Sequence, residues 1–407
     1  MKKQLLSTSA IALGVAMASP AAAQQWDLEW GGFVNTHVGA SDVDLPSGYT
    51  TDVGSTSEGD PQYTVTADRD GVNIVTNSEI IFRPSVTLDN GLTFGVNVQM
   101  EALNGGGGQD GIDESYAYME SDTLGRIEAG SHNSAGYLLS KGAPSVGSMA
   151  INSPSISAFV PFLSAQGFRQ AGISSYTEVA GNNDVEVAGN NDVQRLTYFT
   201  PSFNGLVVGV SYAPSSAGNA SNNAPVIFNS PVQVTDIFDI GAAYDQSFGA
   251  VDLGLSARWG TGNSNVAGID DPTTWSVGAN LGVSGFTFGG SYGENDKGVA
   301  SGAGDNEGFS LNEGFSLGVS YDVAGPWTVG LETYQGELKN AGGAPDSDYE
   351  TYKLAGSRSL GSGVSWDVYY AYVETNDGAA DGAEDGVAVD NPKVEGNVIA
   401  TAINLSF

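Results

Sequence analysis

The sequence predicts an all-β chain: a sixteen-stranded antiparallel barrel that crosses a membrane. Three observations predict it. The last eleven residues, NVIATAINLSF, alternate strictly and stop on an aromatic side chain. The first 23 residues have the form of an export signal, yet no run of about 18 apolar residues follows to make a membrane helix. Between the two, short turns alternate with long acidic connections through a succession of strands.

In the terminal segment, Phe407, Leu405, Ile403, Thr401 and Ile399 share one face, because successive side chains of a strand point to opposite sides. The other face is small or polar. A chain end ordinarily frays, so a terminal Phe407 implies a partner that holds it. Its place is the aromatic girdle at one membrane interface.

At the other end, Lys2 and Lys3 precede an apolar stretch over 5–18, and Ala21-Ala22-Ala23 supplies a small-residue cleavage site. Cleavage after Ala23 would leave residues 24–407 as a single outer-membrane domain, exported through the periplasm. Loss of the two lysines takes the net charge from −33 to −35. Cysteine is absent, which removes disulfides and thiol chemistry. Glycine, at 57 residues of 407, has about twice its usual usage. With 47 acidic against 14 basic residues, the chain lacks the basic surface that nucleic acid requires.

The first mature strand, residues 26–39, carries Trp26, Leu28, Trp30, Val34, Thr36 and Val38 on one face, with both tryptophans as candidate interface anchors. A hairpin follows around the turn Asp89-Asn90-Gly91, a type that favours positive φ. Leu88, Val86, Phe82 and Ile80 face outward before it, and Phe94, Val96, Val98 and Met100 after it. Pro84 interrupts the first of these strands, where a missing N–H predicts a bulge. Six more hairpins are expected: 114–120 with 126–131, 193–200 with 206–213, 236–245 with 251–260, 274–282 with 286–293, 314–321 with 327–336, and 349–358 with 364–375. One strand, seven hairpins and the terminal strand make sixteen, an even number that brings both ends to the same side. A barrel of that size leaves an aqueous channel.

Two phrases, ESYAYMESDTLGRIEAG and RLTYFTPSFNGLVVGVSYA, together with the export signal, the strand count and Phe407, resemble the general porins of Gram-negative bacteria, with the nearest likeness to those of alphaproteobacteria. The resemblance covers essentially the whole mature chain. It implies a homotrimer of water-filled barrels among outer-membrane lipid and lipopolysaccharide, passing small hydrophilic solutes and ions. It also implies a third long loop that folds inward and narrows the pore, with His132, Lys141, Phe159, Phe162 and Arg169 as its candidate constriction residues. The residues agree: the connection starting at His132 runs to about Asp192 and carries Leu138, Leu139, Ile156, Phe159, Val160, Phe162 and Leu163, too much apolar area for an exposed loop.

A pore acts through its field, so charges on the polar strand faces are the candidate functional groups. These are Arg83, Arg126, Arg195 and Arg258, with Glu79, Glu101, Glu128, Asp252, Glu332 and Asp367. The acidic excess favours cations at the mouth. No cofactor is required, although the crowded loop carboxylates are candidate calcium ligands. The segment GGGGQDGID at 105–113 matches a calcium β-helix nonapeptide but stands as a single copy, so it reads as a flexible loop. Two tandem duplications, EVAGNNDV at 178–193 and NEGFSL at 306–317, have even length and preserve the facing of everything downstream. An enzyme is not expected: only His37 and His132 offer an imidazole, and Ser131 and His132 point to opposite faces as strand neighbours. Two alternatives are a substrate-selective channel and a secreted β-rich adhesin or calcium-binding protein.

Overall fold

Strict alternation along most of the chain drives strands that satisfy their backbone groups only by closing on one another, since lipid offers no hydrogen-bond partner. In the computed structural model they do close. The structure describes residues 25–46, 50–52, 64–66, 68–103, 111–151, 154–160, 192–216, 218, 234–265, 271–296, 311–339, 346–376 and 393–407. The export-signal segment lies outside them.

Sixteen strands form one closed antiparallel barrel. They are β1 (Asp27–Asp44), β4 (Gly71–Thr87), β5 (Thr93–Leu103), β6 (Ser115–Ser121), β7 (Gly125–Ser131), β8 (Gln194–Phe199), β9 (Leu206–Ser215), β10 (Val234–Phe248), β11 (Val251–Ser264), β12 (Thr273–Val283), β13 (Phe286–Asp296), β14 (Leu311–Asp322), β15 (Trp327–Lys339), β16 (Ser347–Gly361), β17 (Val364–Asn376) and β18 (Lys393–Ser406). The remaining two, β2 (Thr50–Asp52) and β3 (Thr64–Thr66), pair as a small ribbon in what the sequence presents as a polar loop.

Closure is made by β1 against β18, in register from Phe33 opposite Ser406 to Asp44 opposite Glu395. Phe407 extends the ladder by one step: its N–H donates to the Gly32 carbonyl at 3.1 Å, and its own carbonyl accepts from Gly32 N at 3.0 Å. Its ring is 67% exposed on the outer face, beyond the exposed Leu405, Ile403 and Ile399. The terminal residue is thus held by backbone while its side chain stands where lipid would be. Around it at the short-turn end lie Trp30 against Phe82, with ring centroids 4.5 Å apart, and Phe286 against Tyr321 at 4.2 Å. At the opposite end, outward Trp275, Tyr292, Tyr352 and Tyr372 lie beneath outward Glu294, Glu313, Glu350 and Glu374.

Two local features differ from expectation. Gly91 does turn the first hairpin with φ of 81°, but Pro84 makes no bulge. Phe82 pairs with Val98 and Ser85 with Gly95, which is one unbroken register. Pro84 sits where the β4–β5 ladder skips two positions, so its missing N–H leaves the strand undisturbed. A bulge that periodicity gives no sign of lies on β10 between Thr235 and Phe238. Asp236 takes φ of 50° there, and its carboxylate accepts from Tyr212 Oη at 2.7 Å and Asn263 Nδ2 at 3.1 Å. The extra residue turns Ile237, Asp239 and Gly241 to the inside.

Most strands continue further than their apolar alternation at the long-loop end. β13 reaches Asp296 and β15 reaches Lys339, with outward Glu294, Glu313 and Glu337 on an intact ladder. Backbone pairing does not stop at the edge of the apolar band, whereas alternation of apolar side chains does. Of the duplications, the second NEGFSL copy lies in β14, while the first lies outside the described residues apart from Leu311; of the EVAGNNDV pair only Asp192 and Val193 are described.

Candidate functional site

The third connection is the organising feature of the interior. After β7, residues 132–151 and 154–160 lie inside the barrel; the first of them form a short helix, α1 (Ala135–Leu139), capped by Ser134 Oγ accepting from Tyr137 N at 3.2 Å. They then follow the inner wall strand by strand. Ala135 N donates to Ser211 Oγ on β9 (3.3 Å), and Gly136 N to the Asp239 carboxylate on β10. Lys141 N donates to Ser256 Oγ on β11 (2.9 Å), and Ala143 N to Ser316 Oγ on β14 (3.0 Å). Ser145 Oγ donates to Glu332 on β15 (2.7 Å), and Ser148 N to Asp367 on β17 (2.9 Å). Tyr349 Oη on β16 donates to the Ile151 carbonyl (2.7 Å), and Asn73 Nδ2 on β4 to the Ala158 carbonyl (2.8 Å). The segment is a belt running from β9 the long way round to β4.

Its second half is apolar and explains the composition noticed in the sequence. Val146, Met149, Ile151, Ile156, Phe159 and Val160 are buried with Val75, Tyr334, Tyr369, Val373, Val394 and Val398 of the wall. Each such side chain contributes roughly 1.5–3 kcal/mol by leaving water. The wall in turn makes room by omitting side chains. A Cβ placed on Gly241 would come within 2.7 Å of Gly136 Cα, on Gly330 within 2.6 Å of Val146, on Gly396 within 2.6 Å of Val160, and on Gly39 within 2.8 Å of Phe159. At Gly278 it would run into the Lys141 carbonyl oxygen. These inward glycines are a seat for the belt.

Charge locks the belt in place. Lys353, 1% exposed, bonds Glu332 Oε1 at 2.6 Å, Ser145 Oγ at 3.0 Å and the Met149 carbonyl. Arg258 pairs with Asp239 at 3.1 Å, both buried, while Asp239 also accepts from the belt. Lys141 reaches Asp245 at 2.8 Å.

A family model described as Gram-negative porin matches residues 7–378. The chain belongs to the Gram-negative porin family. Solved structures of the same fold include an anion-selective porin from Comamonas acidovorans, at 18% identity and TM-score 0.57, covering 94% of this chain and 100% of that one. The outer-membrane protein OmpT of Vibrio cholerae in its trimer form has 11% identity, TM-score 0.58 and coverage of 94% and 99%. The outer-membrane channel DcaP of Acinetobacter baumannii has 13% identity, TM-score 0.58 and coverage of 96% and 99%. No curated protein matches this chain in sequence.

All ten charged residues singled out by alternation lie on the inner face of the porin, but they do not form one ring. Glu128, Arg195, Arg258, Glu332 and Asp367 are buried. Of these, Arg258, Glu332 and Asp367 act in the belt's anchorage, beneath it and away from open lumen. Arg126 and Asp252 stand next to the short turns. Arg126 bridges Glu120 (2.9 Å) and Glu128 (2.6 Å) and stacks on Tyr118 at 4.1 Å, while Asp252 accepts from Ser247 Oγ at 2.5 Å. Arg83 remains exposed and donates through Nε to Asn97 at 3.0 Å. Glu79 and Glu101 face one another across β4 and β5. Of the constriction candidates, His132, Lys141 and Phe159 belong to the belt, and Phe162 and Arg169 lie outside the described residues. Ser145, Ser148 and Lys353 were not legible as site residues, because nothing in alternation shows what a loop will press against a strand.

His37, fully buried, sets its Nε2 3.4 Å from Ser148 Oγ, and Asp367 accepts from the same hydroxyl at 3.2 Å. This is not a hydrolytic triad. The carboxylate falls on the serine, while His37 Nδ1 meets Tyr369 Oη at 3.2 Å. Among the described residues, no group of three or more acidic or histidine side chains is arranged to hold a metal ion; residues 105–110 of the nonapeptide lie outside them.

His132 opens the belt, with Nε2 2.9 Å from Thr197 Oγ1 and Nδ1 3.1 Å from the Gly130 carbonyl. Burial, aided by the Arg195 charge, pushes its imidazole down from 6.5 to about 3. A depressed value means that the fold favours the neutral ring. The stabilisation is complete above the unfolded value of 6.5 and is lost as pH falls from there toward 3. His132→Gln is therefore expected to flatten the acid limb of barrel stability over that window, read as the heat-unfolding midpoint on gels against pH. A wild-type slope in the variant would remove His132 as its source.

Proposed function

We propose that this porin is a homotrimeric, passive and weakly cation-selective pore for small hydrophilic solutes, reached by cleavage of the segment 1–23 and insertion into the outer membrane. The observation that carries the reading is the closed sixteen-stranded barrel with its third loop bound along the inner wall. A barrel of this size is wide enough for water. The selectivity follows from two features together. The chain carries a net charge of −33, and at least one inward arginine, Arg258, is neutralised by a buried carboxylate, which leaves acidic groups to set the field. The Comamonas porin is named as anion-selective, so the sign is a property of each chain's own charges and has to be measured.

The test is planar-bilayer conductance with a reversal potential in a salt gradient. Conductance steps in threes with a cation-selective potential are expected. An anion-selective potential would overturn the assignment of sign and make the inward arginines the controlling charge. Saturable flux blocked by one solute would replace the general pore with a substrate-selective channel, and absence of conductance from folded protein would overturn the pore.

A further inference from the structure

Arg358 is an outer-surface cation that neither the belt nor the lumen explains. Arg358 lies on the outward row of β16, following Tyr352, Leu354 and Gly356, at the short-turn end. Register places it opposite Trp327 on β15 and Trp366 on β17. Its guanidinium carbon is 5.8 Å from the centre of the Trp327 ring, a distance at which the indole face attracts the cation. The two indoles are 5.5 Å apart and tilted by 59°. Trp366 is fixed by donation from Nε1 to Thr401 Oγ1 at 2.7 Å. Trp327 leans over Gly356, where a Cβ would stand 3.5 Å from the ring.

Among the described cations, Arg126, Lys141, Arg258, Lys353 and Lys393 each pair with a carboxylate, and inward Arg83 donates to Asn97. Arg358 has no described carboxylate partner, and its ring contact is with Trp327. Toward the middle of the barrel the neighbouring outward positions are apolar and exposed: Val329, Leu331, Leu354 and Val368. At the opposite rim the same group of strands turns Glu337, Asp348, Glu350 and Glu374 outward. A phosphate-bearing lipid therefore meets attraction at one end of this wall and repulsion at the other.

We propose that Arg358, backed by Trp327 and Trp366, is a binding site for the phosphate of a phospholipid headgroup in the periplasmic leaflet. The planar guanidinium presents paired donors that match two phosphate oxygens. The indoles supply the amphipathic surface found where headgroups meet acyl chains. The apolar outward strip beyond them takes the acyl chains, which selects a lipid over a free anion. The site rests on the reading of the chain as a membrane-inserted porin.

Native mass spectrometry of the detergent-folded full chain with phosphatidylglycerol tests it. The wild type retains one lipid per chain more tightly than the rest, and Arg358→Gln lowers that occupancy about tenfold, the effect of losing a charged hydrogen bond. Arg358→Lys keeps part of it, and Lys393→Gln at the far rim leaves it unchanged. A diglycosyl diacylglycerol, which has no phosphate, shows no dependence on Arg358. Equal retention by wild type and Arg358→Gln would overturn the site, as would equal dependence for the glycolipid, which would reduce it to apolar packing. Bilayer conductance of each preparation separates the two readings: a conducting wild type that retains no lipid overturns the site alone, and a folded chain that never conducts overturns the porin reading with it.

Discussion

Gly278→Val is expected to lower single-channel conductance and make the current noisier while leaving the barrel folded. The residue is on the inner face of β12, where any side chain would enter the space held by the Lys141 carbonyl oxygen. That oxygen is backbone, so no side-chain rotation relieves the clash. Behind the wall is membrane and ahead of the belt is lumen, so the belt moves inward. Valine suits the strand itself, and the ladder to Arg258-bearing β11 stays intact. Overpacking of this kind costs roughly 1–3 kcal/mol, enough to populate displaced belt conformations without opening the barrel. Gly361→Ala is the control, because open space surrounds that position. Unchanged conductance in Gly278→Val would mean that the belt does not define the width of the passage.

Lys353→Met acts on the belt by charge instead of volume. It removes the ammonium that holds Glu332, Ser145 and the Met149 carbonyl together. Glu332 is then left buried without a counter-charge, at a cost of about 3–5 kcal/mol. A closed ladder of sixteen strands has no weak edge, so the penalty is relieved by lifting the belt between Ser145 and Met149, which lets water reach the carboxylate. The absence of cysteine makes this measurable with one introduced thiol. Met149→Cys in the belt, at a position 1% exposed, should react with a small charged thiol reagent about 100-fold faster in the Lys353→Met background, the factor for roughly 3 kcal/mol. Adding Glu332→Gln should restore slow labelling, because no buried charge then remains. Equal rates in all backgrounds would show that the ion pair does not hold the belt.

How much of this was legible depends on which physical rule wrote it into the chain. Phe407, Leu405, Ile403 and Ile399 had to alternate because lipid and wall demand opposite chemistry at every second residue, and that rule acts along the chain. The inward facing of Arg83, Arg258, Glu332 and Asp367 was legible for the same reason. The β10 bulge was not: Asp236 at positive φ costs one residue of register and leaves no gap in the pattern. Pro84 warned of a disruption that never occurs, because its imino nitrogen falls where the ladder makes no demand. The glycines at 39, 241, 278, 330 and 396 were visible as strand positions, but what they make room for needed the belt in place.

Taken alone, the sequence determined the barrel, its strand number, the outward and inward faces, and that the third loop must pack on something. Those follow from period-two alternation, turn length and the apolar load of residues 138–163, all local quantities. The tertiary structure decided what the inward charges do. Arg258, Glu332 and Asp367 would have faced water had the wall been bare, and instead they hold a belt that circles from β9 to β4. Alternation says which side of a sheet a side chain is on. Whether water or protein meets it there is set by contacts between residues more than a hundred positions apart, such as Gly136 with Asp239 and Lys353 with Ser145, and no local pattern encodes a contact across the barrel.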